Sequence, residues 1–173
     1  AGSTTVVVGQ GGGGGYTYVG WSTDGATSDT PSSASLIAED ETRVNRWTAS
    51  EGGTMKRLRV YFGSYVTAET VTACVYKNTT LVGTASITPS VSSWVWSSDL
   101  VAEDGQSLTF VTSNEIYFGI AVDNPSVNNI YLGYGGGVAL KYYRMNPRSY
   151  LPATASWTEI SSSGSYGVIL EYE

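Results

Sequence analysis

Between Thr54 and Gly63 apolar and polar side chains change places residue by residue. Leu58, Val60 and Phe62 fall on one side, with Arg57, Arg59 and Tyr61 on the other. A period of two suits an extended strand that keeps one face in a core and the other toward water. Val71, Ala73 and Val75 repeat the pattern one segment later. No stretch sustains an apolar repeat of 3.6 residues over three turns, so helices are expected to be minor.

Further strands are expected at Thr80–Thr88, Val91–Ser97, Gln106–Thr112, Ile116–Asp123, Asn129–Tyr134, Val138–Met145 and Tyr166–Tyr172. The breaks between them are turn-forming clusters: Lys77-Asn78, Glu103-Asp104-Gly105, Asp123-Asn124-Pro125 and Gly135-Gly136-Gly137. Upstream, Tyr16 to Thr23 alternates through aromatic residues and Asp24 to Ser35 reads as a loop. Leu36 to Thr42 reads as a short helical turn, and Arg43 to Ala49 resumes alternation through Val44 and Trp47. About ten short strands result, and their natural packing is an all-β, jelly-roll-like antiparallel β-sandwich. At 173 residues, one such domain buries roughly 70% of the surface its unfolded chain exposes.

Four segments carry a resemblance over Arg43 to Glu173: Met55-Lys56-Arg57-Leu58-Arg59-Val60-Tyr61, Thr72-Ala73-Cys74-Val75-Tyr76, Ile116-Tyr117-Phe118-Gly119-Ile120-Ala121 and the terminal Val168-Ile169-Leu170-Glu171-Tyr172. In this order they resemble the jelly-roll modules of bacterial surface proteins, extracellular fibres and phage structural proteins. The resemblance implies the sandwich fold and an extracellular setting, and it transfers no catalytic residue.

The chain has no histidine, which removes the commonest general base, the Ser-His and Cys-His nucleophile pairs and the commonest zinc or copper ligand. Carboxylates such as Glu41, Glu103 and Glu115 lie at loops or strand ends, where solvation is their ordinary role, so no catalytic pair is expected. Asp24 with Asp29, or Asp123 with Asn124, lack the spaced acidic pattern of a calcium loop, and Gly11 to Gly15 lacks the Lys-Ser/Thr ending of a phosphate loop. Neither enzyme activity nor a metal or cofactor is expected. A net charge of −6 with nine Lys and Arg argues against nucleic acid as a partner, and no apolar run reaches the roughly 20 residues of a membrane span. Cys74 reads as a small packed side chain. The start at Ala1 fits a mature chain after signal-peptide removal, hence a secreted, cell-surface protein.

Three groups of residues could bind something. Trp94 and Trp96 share one face of a short strand, and Tyr142, Tyr143 and Tyr150 sit near Arg144 and Arg148. Flat rings beside polar groups suit stacking on sugars, while packing between the sheets is the competing reading for the Trp pair. Asn78-Thr79-Thr80 is a glycosylation sequon in a turn.

The N-terminus differs in kind. Residues 1–15 hold Ser3, Thr4, Thr5, Val6, Val7 and Val8, nearly all β-branched, then a linker of seven residues of which six are glycine; the sandwich domain occupies 16–173. Fully extended, that linker reaches roughly 25 Å, enough to enter a neighbouring subunit or to fold back. Donation to a neighbour would be head-to-tail and would propagate a homopolymer, a pilus-like extracellular filament. Pairing within its own sheet and docking on another surface, such as a capsid, are the alternatives for this segment. At the level of function, the alternatives are a carbohydrate-binding or adhesive module and a phage decoration or tail-fibre domain.

Overall fold

Fifteen strands and no helix form among residues 15–22, 30–37, 40–66, 70–123, 130–135, 141–145, 149–161 and 164–173, which the computed structural model describes. They are β1 (Thr17–Gly20), β2 (Ser33–Ile37), β3 (Glu41–Thr48), β4 (Gly53–Val66), β5 (Thr70–Lys77), β6 (Thr80–Ser86), β7 (Ser93–Trp96) and β8 (Val101–Ala102). After these come β9 (Thr109–Phe110), β10 (Glu115–Asp123), β11 (Ile130–Gly135), β12 (Lys141–Met145), β13 (Trp157–Ser161), β14 (Ser165–Tyr166) and β15 (Val168–Tyr172). The first sheet has the order β1-β15-β4-β11-β14, with β2 on β11 and both β7 and β9 on β4; the second runs β13-β12-β3-β10-β5-β6-β8. All pairings are antiparallel, and the two sheets pack as a sandwich, as the alternation predicts.

The alternation of β4 does what its pattern demands: Leu58, Val60 and Phe62 are fully buried between the sheets, while Arg57, Arg59 and Tyr61 are half-buried on the outer face. A bulge where Met55 and Arg57 pair with Tyr172 and Glu171 puts Lys56 and Arg57 in succession outside the core, and Met55 still reaches it. Trp47, Phe110 and Tyr172 close one end of the core, their ring centroids 5.3–5.6 Å apart. Each fully buried Phe, Leu, Ile or Val contributes about 1.5–3 kcal/mol relative to exposure.

The second sheet is buried on both faces. Val44, Cys74, Tyr76, Tyr117, Ala121, Tyr143 and Met145 form a separate apolar cluster on its outer side, covered by Tyr150, Leu151, Ala155 and Trp157. This covering segment is tied down as a strand would be: Leu81 N–H donates to the Ala153 carbonyl at 3.0 Å and Ala155 N–H to that of Thr79 at 2.6 Å. Trp157 stacks on Tyr117 at 4.9 Å and meets Tyr76 edge-on at 5.0 Å. Cys74 is fully buried beneath it, the small packed side chain expected from the sequence, and burial pushes its thiol pKa up.

Local pattern misplaces four stretches. The expected helical turn at Leu36–Thr42 is strand at both described ends, because β2 pairs along its whole length with Ile130–Tyr134 of β11 and Glu41 already belongs to β3. Ser33 to Ser35, expected as loop, belongs to β2 for the same reason. Gln106–Thr112 contributes only Thr109 and Phe110, paired to the start of β4. Trp157–Ser161 forms the edge strand β13, whose polar, half-exposed residues carry little alternation to read.

Candidate functional site

On its inward side β3 presents Arg43, Asn45 and Trp47 in turn, leading from a cleft to the aromatic end of the core. At the cleft the two sheets part. Ser35 of β2, Tyr134 of β11 and Tyr166 of β14 form one wall; Arg43 of β3, Tyr142 and Arg144 of β12 and Ile160 of β13 form the other. The volume is about 260 Å³.

Arg43 is 7% exposed, and its guanidinium is held in place. Nη2 donates to Glu41 Oε2 at 2.9 Å and to the Leu36 carbonyl at 3.1 Å, Nη1 donates to Ser35 Oγ, and the group lies 5.9 Å from the Tyr166 ring centroid. Its Nε is buried without a partner. Glu41, 1% exposed, neutralises the charge. Arg144 stands opposite Arg43 in the β12–β3 register and forms no ion pair among the described residues. Tyr142 packs on Tyr166 with centroids 4.7 Å apart. Burial pushes the Tyr166 hydroxyl up to about 12, against the opposing pull of Arg43, so at neutral pH the ring offers an uncharged O–H. The cleft therefore combines a net positive charge, fixed N–H donors and aromatic walls. No group of three or more metal-ligating side chains occurs among the described residues.

Trp94 and Trp96 lie on the outer face of the first sheet, not between the sheets. Trp96 meets two guanidinium groups, Arg57 at 4.0 Å and Arg59 at 4.9 Å from its ring centroid, and Trp94 meets Tyr61 edge-on at 5.4 Å. Arg57 forks onto the buried Glu171 carboxylate at 2.8 and 3.3 Å. Burial and the neighbouring Arg57 charge lower the Arg59 pKa. This is a cation–π ladder, and it engages the ring of Trp96 that a sugar would otherwise stack on.

Of the three candidate tyrosines only Tyr142 lines the cleft. Tyr143 faces the other side of β12, edge-on to Tyr117 at 5.5 Å, with its hydroxyl donating to Glu159 Oε2 at 3.1 Å. Tyr150 belongs to the covering segment, its hydroxyl 2.8 Å from Thr72 Oγ1. Successive residues of a strand point to opposite faces, so Tyr142 and Tyr143 cannot share a platform. Asn78 is exposed in the β5–β6 turn, in the left-handed region at φ 55°. Ser3 to Val8 and Arg148 lie outside the described residues.

Sequence reasoning passed over Arg43, Tyr134 and Tyr166. A signal was present: Arg43 and Asn45 stand in phase with Trp47, polar residues on the face of a strand that enters a core. No protein-family model matches the chain, and no curated protein shows significant similarity to it.

Proposed function

We propose that the domain is a non-catalytic structural subunit of an extracellular filament, joined to the next subunit by Ser3 to Val8. The observation that carries this reading is the position of β1. It follows directly on the glycine linker, it is an end strand of the first sheet, and among the described residues it pairs with β15 alone. An outer edge of this kind has backbone N–H and C=O groups free to accept an added strand. Val6 and Val8 would extend the inner face beside Val19, which is already fully buried. Because donor and acceptor surfaces differ, the contact is head-to-tail and need not close, so one subunit type can propagate a filament.

Electron microscopy and light scattering of the full chain beside a variant lacking residues 1–15 test the proposal. Polymers from the full chain and folded monomers from the truncated one are expected. Equal assembly of both, or a monomeric full chain, would refute it.

A further inference from the structure

None of the residues that line the cleft between the two sheets belongs to β1, and the chemistry of the cleft is specific. Arg43 and Arg144 are cross-strand partners, an arrangement that is destabilising for like charges. Glu41 cancels one charge and leaves the other. The uncancelled charge is relieved by an anion with planar oxygen acceptors, since the Arg144 guanidinium presents its donors as a fork matched to a carboxylate.

The walls decide what carries the carboxylate. Tyr142, Tyr134 and Tyr166 supply apolar ring surface beside hydroxyls, and Ser35 adds a further hydroxyl, a combination suited to a ring with one apolar face and polar substituents at its rim. At about 260 Å³ the space lies below the roughly 300–1,000 Å³ of drug-sized sites, so it holds one sugar ring and not a chain of them. We propose that the cleft binds a single hexuronic acid, its carboxylate between Arg144 and Arg43 and its apolar face against Tyr142. The ligand is either the free acid or the terminal residue of a glycan.

Arg144 supplies the attraction and Arg43 the direction, because Glu41, Ser35 and the Leu36 carbonyl already hold the Arg43 guanidinium in place. A site ordered before the ligand arrives loses less entropy on binding. Strand exchange at β1 uses none of these residues, so the two proposals stand or fall separately.

The test is calorimetric titration of the full chain at low salt with D-glucuronate, D-glucose, acetate and inorganic phosphate. Glucuronate is expected to bind about tenfold or more tightly than the other three, since a charge-assisted hydrogen bond and ring stacking must act together. Arg144→Gln should weaken glucuronate by about tenfold or more, and Arg144→Lys by less, because it keeps the charge and loses the fork. Tyr142→Ala should weaken it with the far-UV circular dichroism unchanged. Methyl β-D-glucuronide binding as well as glucuronate supports a glycan end; weaker binding supports the free acid. No glucuronate binding, binding no better than acetate or phosphate, or indifference to Arg144→Gln would overturn the proposal.

Discussion

The Asn45 carboxamide and the Tyr166 backbone exchange two hydrogen bonds across the sandwich: Oδ1 accepts from the Tyr166 N–H at 2.8 Å, and Nδ2 donates to the Tyr166 carbonyl at 3.0 Å. Asn45 is fully buried on the second sheet, and Tyr166 belongs to the first. The bonds sit where β14 gives way to β15 at Gly167, whose N–H turns to the Gly133 carbonyl at 2.7 Å while its own carbonyl accepts from Tyr61 N–H at 2.8 Å. A Cβ on Gly167 would meet Pro31 Cγ at 2.8 Å and Tyr61 Cβ at 3.0 Å, so glycine is required by the close approach. Asn45 thus pairs the backbone where regular sheet pairing changes partners.

Asn45→Leu removes both bonds and leaves buried backbone groups of Tyr166 short of partners. The expected loss is about 3 kcal/mol, read from urea unfolding, with an unchanged m-value. A loss under about 1 kcal/mol would mean that the backbone finds other partners.

Arg57 neutralises Glu171, a carboxylate 1% exposed on the outer face of the first sheet. Arg57→Ala strands that charge and also strips one guanidinium from Trp96, so it should cost about 2 kcal/mol even though Arg57 itself is partly exposed. Adding Glu171→Gln should restore most of the stability. A second change that lowers the melting temperature further would argue against charge burial as the cause.

Trp157→Ala should loosen the covering segment over the second sheet. It forfeits the stack on Tyr117 and the edge contact with Tyr76 and should cost about 2 kcal/mol. Cys74 is the reporter: inert to a thiol reagent at pH 8 in the parent chain, it should react about tenfold faster or more in the variant. An unchanged rate would show that the segment stays down without its tryptophan.

Alkaline unfolding should begin near the ordinary tyrosine pKa. Burial pushes Tyr143 and Tyr166 up to about 12 and raises Tyr76 and Tyr172 further, so folding favours their protonated forms. That contribution is complete below about pH 10, where tyrosines of the unfolded chain are also protonated, and it is lost as pH rises from about 10 through the folded-state values. Thermal melts should therefore be level from neutral pH to about 8, decline gently as the Cys74 thiol ionises in the unfolded chain, and fall steeply above about 10 as the tyrosines follow. Absorbance at 295 nm should show a group of tyrosines ionising only together with unfolding.

Much of the fold is legible in single strands. The β4 alternation, the apolar β10 and the β15 run appear where their side-chain pattern puts them, because burial of one or both faces leaves a local imprint. Two strands that pattern reading misses, β2 and β13, take their form from partners: β2 from Ile130–Tyr134 of β11, β13 from β12. Their residues hold too little apolar surface to announce it.

Composition and period determined the all-β class, the minor place of helices and the burial of Cys74, since these depend on which side chains fit a half-buried extended chain. The tertiary structure alone decided which residues meet. It set Arg43 opposite Arg144, parted Tyr142 from Tyr143 and set Trp96 beside two arginines. The reason is register: one residue's shift turns every side chain of a strand to the other face, and register is chosen by pairings between segments as far apart as Asn45 and Tyr166.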